Sequence, residues 1–146
     1  ETWFGDYTAE ASTSGECGLG DYDLVVHNGN GEVIWNESYQ NGNLFGFDEI
    51  YTSAEMKLAL ADWVGTYAQQ STSGTLPQWP AGADGPEAGE FPFYVEEGVT
   101  QPLYEEVRAE NRPMICYIQG RESLLCLLRH PETGALETVG FQSFPG

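Results

Sequence analysis

Basic residues are nearly missing from this chain of 146 residues: five lysines and arginines stand against 23 acids, and Lys57 is the sole lysine. A field of that sign, net −18, repels nucleic acid and anionic lipid, so neither is expected as a partner. The same field attracts cationic ligands and basic proteins. Long apolar runs are missing too. The longest, Leu124-Leu125-Cys126-Leu127-Leu128, is far shorter than the roughly 18 residues a membrane-spanning helix needs, so no membrane insertion is expected. The three cysteines never approach a Cys-x-x-Cys spacing. No zinc pattern, phosphate loop or dinucleotide fingerprint occurs, and no cofactor is implied.

Apolar material is not lacking. Hydrophobic residues make up 40% and aromatics 13%, enough to offset the entropy of ordering the chain. A single domain over 1–146 follows. The charge is unevenly placed: residues 1–107 carry 19 acids and one base, and residues 108–146 carry four of each. Solubility in a salty or exported setting would account for that composition without any partner. The first residue is Glu1 rather than Met, and no charged-then-apolar leader precedes the domain, the pattern left when a signal peptide is removed. The expectation is an exported protein, periplasmic or extracellular.

The segments read as α+β: an antiparallel sheet of about five to seven strands with one main helix packed on it. Trp3, Phe4 and Tyr7 open a strand-like region. Tyr22–His27 and Glu32–Tyr39 flank Asn28-Gly29-Asn30-Gly31, a strong hairpin signal in which two Asn-Gly steps compete for the turn. Thr52-Ser53-Ala54-Glu55 fits a capping box, and Met56, Leu60, Trp63, Val64 and Tyr67 then share one face of a helix from about Ser53 to Ala68. On that stripe Trp63 reads as core. Residues 71–92, rich in Pro and Gly, read as a long surface loop tucked down by Trp79. Thr100-Gln101-Pro102 can start a short helix through Ala109. Met114–Gln119, Ser123–His130 and Leu136–Phe144 make a three-stranded meander whose wholly apolar middle run belongs at the centre, covered on both faces.

No catalytic constellation emerges. His27 and His130 each abut a turn, and neither has a nucleophile placed beside it by sequence; Cys17 with His27 is the nearest approach. The doublets Asp48-Glu49, Glu96-Glu97 and Glu105-Glu106 cannot face each other across a cleft as glycosidase carboxylates do. Asp21, Asp23, Asn28, Asn30 and Glu32 miss the spacing of a calcium loop. Asn36-Glu37-Ser38 is a glycosylation sequon only in a glycosylating source.

For the cysteines, register decides. Opposed residues in a hairpin share a constant number sum. A three-residue loop Gly120–Glu122 gives 242 and sets Cys116 opposite Cys126; a two-residue loop gives 241 and turns them to opposite faces. Gly leads two-residue turns well, and Glu122 is poor in a left-handed position, so the shorter loop is expected. The disulfide expected is then Cys17 to Cys116, the Cys126 run being the more buried.

Three functional classes compete. The first is a non-catalytic binding domain for a basic protein, one version being an inhibitor of a cationic hydrolase. Its contacts would be Trp79, Tyr94 and Tyr104 with Glu96 and Glu97, an aromatic and acidic mixture suited to hot spots and steering. The second is a carboxylate-using hydrolase, which needs distant acids to converge. The third, a mimic of nucleic-acid charge, ranks last in a chain so poor in helix.

Overall fold

In the computed structural model, which describes residues 1–15, 20–87, 89 and 92–143, alternation of apolar and polar side chains organises the first segment. Strands β1 (Thr2–Trp3), β2 (Tyr7–Thr13), β3 (Tyr22–His27) and β4 (Val33–Tyr39) form an antiparallel meander in that order. Tyr22, Leu24 and Val26 of β3 are buried, and the residues between them face outward. Pairing aligns Ala9, Val26 and Trp35 across the sheet, and likewise Ala11, Leu24 and Glu37. The expected hairpin is present. Asn28 Oδ1 accepts the main-chain N–H of Asn30 and of Glu32, and Gly31 takes the positive φ of 83°. A register shift leaves Ile34 as an extra residue, a bulge on β4.

Helix α1 (Ser53–Val64) begins where its capping box predicts. The Glu55 N–H donates to Thr52 Oγ1 at 3.1 Å, and the Glu55 carboxylate accepts from Thr52 Oγ1 and from the Tyr51 N–H. It ends at Val64, short of the expected Ala68, because Gly65 leaves the helical region at φ −110°, ψ −91°. Tyr67 therefore falls off the buried stripe and is exposed.

The second sheet holds β5 (Gln69–Thr72), β6 (Phe93–Val95), β7 (Pro113–Ile118), β8 (Ser123–Arg129) and β9 (Leu136–Ser143), in the spatial order β5-β7-β8-β9-β6. The meander lies where expected, with β8 central and Leu124–Leu128 buried throughout. A 3₁₀ turn (Ser73–Thr75) follows β5, and helix α2 (Gln101–Glu110) starts on the Thr100 cap. The class is α+β with antiparallel sheets. The strands divide into two sheets rather than one.

Aromatic rings join the sheets. Trp3, Tyr39 and Trp63 all stand within 6.5 Å of the buried Tyr117 ring, centroid to centroid. Trp63 is 1% exposed, as its place on the stripe predicts, and its Nε1–H donates to the Ile118 carbonyl at 2.8 Å. Tyr117 Oη accepts from Trp35 Nε1 at 3.3 Å and pairs with Tyr39 Oη. The far face of the second sheet is closed by Tyr104 and Val107 of α2 and by the 3₁₀ turn. There buried Ser73 donates Oγ to the Val107 carbonyl and accepts the Arg112 N–H.

The cysteine expectation is corrected. Cys116 pairs with Cys126 in register, their sulfurs 2.06 Å apart, so Cys116 is not available to Cys17. Cys17 itself lies outside the described residues. The loop is the three-residue one. Residues 120–122 need no positive φ, which removes the penalty held against Glu122. Outside anchors hold it: the Phe45 N–H donates to the Gly120 carbonyl, and Arg121 grips Asp48.

Candidate functional site

The residues singled out from sequence do not form one surface. Tyr104 is fully buried, and burial drives its hydroxyl above the ordinary tyrosine range. Its Oη donates to the Pro77 carbonyl, and its ring meets Trp79 at 5.6 Å and Phe93 at 6.3 Å. It is core beneath the proline-rich loop, and no partner can reach it. Trp79 is half-buried in the same cluster and pins the loop by donating Nε1–H to the Ala83 carbonyl at 2.8 Å. Tyr94 follows Phe93 on β6 and so points to the opposite face, where it is 49% exposed and stacked on Phe141 at 5.2 Å. Glu96 and Glu97 are exposed in the turn after β6.

A polar cavity of about 290 Å³ gathers Asp6, Asn28, Arg129, His130 and Glu132. Asp6, Asn28, Arg129 and His130 are committed to structure. Asp6 Oδ1 accepts from Arg129 at 2.6 Å, and the Arg129 guanidinium lies 4.3 Å over the Tyr7 ring. His130 Nδ1 accepts the main-chain N–H of Glu132 and of Thr133, shaping the turn before β9. Among the described residues, no three His, Cys, Asp or Glu side chains converge to hold a metal. Asp21 and Asp23 bond Asn41 and Ser38, at the opposite end of β3 from Asn28 and Glu32.

Among the described residues, two carboxylates depart from the ordinary range, and both go down. The hydrogen bond from Arg121 lowers Asp48, and that from Arg112 lowers Glu110. Each is exposed and held as the anion, the reverse of what a proton-donating catalyst requires.

All four arginines are engaged: Arg108 with Glu105, Arg112 with Glu110 and Glu137, Arg121 with Asp48, and Arg129 with Asp6. Two of these run from the second sheet to loops of the amino-terminal half. The uneven placement of charge along the chain therefore serves to tie its parts together. What remains is Lys57, which lines a depression with Glu1 and Glu10, and an excess of acid that the first sheet carries most clearly. Residues 1–39 hold eight acids and no lysine or arginine. Glu10 and Asp23 stand on the outward-facing positions of β2 and β3, and Glu37 is exposed on β4. From the sequence, Asp23 enters only as part of a failed calcium loop and Glu37 only within a sequon, and none of the three is expected as a partner contact. The absence of any base before Lys57, combined with the period of two along β2 and β3, is the signal that identifies them.

Comparison with known proteins adds no relative: no family model, no curated protein and no solved structure matches the chain.

Proposed function

We propose that this chain is a non-catalytic acidic binding domain that engages a basic protein through its first sheet, a cationic hydrolase being the concrete case. The observation that carries the reading is the first sheet itself: acids on its outward face and edge, no lysine or arginine within residues 1–39, and every arginine of the chain already paired, Arg129 alone reaching this sheet, at Asp6 in the turn after β1. Uncompensated charge of one sign accelerates encounter with a partner of the other sign and discriminates against wrong ones. A cysteine pair at bonding distance fits an exported setting, since such bonds persist in oxidising compartments.

The test is calorimetric titration with a cationic lysozyme at low and high salt, alongside its turnover. Binding should weaken steeply as salt screens the pair. Glu10→Lys with Asp23→Lys should weaken it further, and Glu106→Lys on α2 should have little effect. Absence of binding at low salt, or affinity indifferent to salt, sinks the reading.

A further inference from the structure

Three of the four outer strands in the two sheets are short: β1 has two residues, β5 four and β6 three. A short edge offers an incoming strand little to pair with. The fourth, β4, has seven residues and spans about 23 Å. It contains neither lysine nor proline, the residues that usually blunt an open edge. Its main chain pairs with β3 alone, and among the described residues no other group bonds to it. Alternate residues of an outer strand turn N–H and C=O away from the sheet. An unpaired row of donors and acceptors therefore faces solvent, regular from Trp35 to Tyr39 beyond the bulge at Ile34.

We propose that β4 receives an extended basic segment of the partner by strand addition. The proposal rests on the acidic-binding reading and names how that binding is made. Main-chain bonds along the edge would supply affinity that does not depend on the partner's side chains, and the acids would choose among candidates. Glu37 is exposed on β4 itself, and Glu32 is exposed in the turn that leads into β4, so a lysine or arginine opposite Glu37 on the added strand meets opposite charge. Asp23 lies one strand further in and on the other face, and adds only to the field. A second copy of this chain is the poorer occupant. Each copy carries −18, and pairing about Glu37 would oppose like charges.

The probe is a peptide of about eight residues alternating lysine and valine, enough to cover the row, beside a twin of equal charge N-methylated at every residue. Both are titrated at low salt into the isotope-labelled full chain. The unmodified peptide should shift and protect amides within Trp35–Tyr39, and the twin should bind at least about tenfold more weakly. Glu37→Lys should weaken the unmodified peptide while leaving the fold intact. Equal binding of both peptides, protection away from β4, or binding of neither while a cationic lysozyme still binds, overturns strand addition and leaves the acidic reading standing. Protection of β4 that grows with protein concentration alone assigns the edge to a second copy and also overturns it. Failure of lysozyme and both peptides together overturns both ideas.

Discussion

Trp63 and Tyr117 show how much of this core rests on single rings with a polar atom to satisfy. Trp63 packs edge-on against Tyr22, Tyr39, Phe47 and Tyr117 while its indole N–H reaches the Ile118 carbonyl. Trp63→Ala removes the rings' common neighbour and leaves that carbonyl unpaired, so it should lower unfolding free energy by roughly 3–5 kcal/mol in urea titration. A loss under about 1 kcal/mol would show that the site collapses without cost. Tyr117 and Tyr39 carry a pH dependence. Burial raises both hydroxyls above the ordinary value of 10, Tyr117 to about 12, and ionising either one brings negative charge beside the other and nearer Glu37. A hydroxyl raised on folding stabilises the fold fully below the unfolded value, and that contribution is lost as pH rises through the folded one. Urea midpoints should therefore hold steady towards pH 10 and fall above it. Phenolate absorbance of the pair should appear together with unfolding. Gradual ionisation of all tyrosines near pH 10 with the fold intact would contradict this.

At the scale of elements, the loop Gly120–Glu122 decides the covalent structure, because one residue more or less exchanges the faces of β7 and β8. In the register seen, Cys116 and Cys126 close a loop with a sequence separation of 10. Chain-entropy reasoning gives such a closure roughly 2–3 kcal/mol. The double variant Cys116→Ala, Cys126→Ala should lose about that much, and non-reducing peptide maps should recover the two strands joined. Recovery of Cys17 linked to either strand would refute the register. Legibility followed locality here. The Thr52–Glu55 box, the Asn28 turn and the meander each depend on neighbours in sequence, and each stands where the residues place it. Strand β5 reads Gln-Gln-Ser-Thr and carries no apolar signal; its pairing with β7, more than forty residues away in sequence, makes it a strand. The loop register escaped for the same reason, being set by Phe45 and Asp48 from outside the hairpin. Tyr104 was misplaced on the surface, although its spacing to Val107 on α2 marks a buried stripe.

The whole molecule is governed by its charge. Of the candidate site, sequence yielded the sign and the amino-terminal weighting of that charge; the surface that displays it depends on which strand lies at the edge, which only the sheet order gives. The sign alone makes one prediction about polyanions. DNA, RNA and anionic vesicles should show no binding at physiological salt, since no cluster of bases offsets the acids and every arginine is occupied. Retention of any of them on a gel or in flotation would contradict it. The magnitude makes another. At net −18 the folded chain holds its acids closer together than the unfolded chain does, so self-repulsion works against folding. Added salt screens charges separated by more than about 3 Å at 1 M, against about 10 Å at 0.1 M. The arginine pairs are short contacts between 2.6 and 3.4 Å, and exposed pairs contribute little, so screening costs them little. Relief of repulsion should win. The midpoint of thermal unfolding, followed by circular dichroism in sodium chloride from 0.1 to 1 M, should rise, and charge reversal of Glu10, Asp23 and Glu37 together should raise it at low salt while flattening its salt dependence. A midpoint that falls with salt in the unaltered chain would mean that the ion pairs outweigh the repulsion, and the acidic surface would no longer be one held against its own charge.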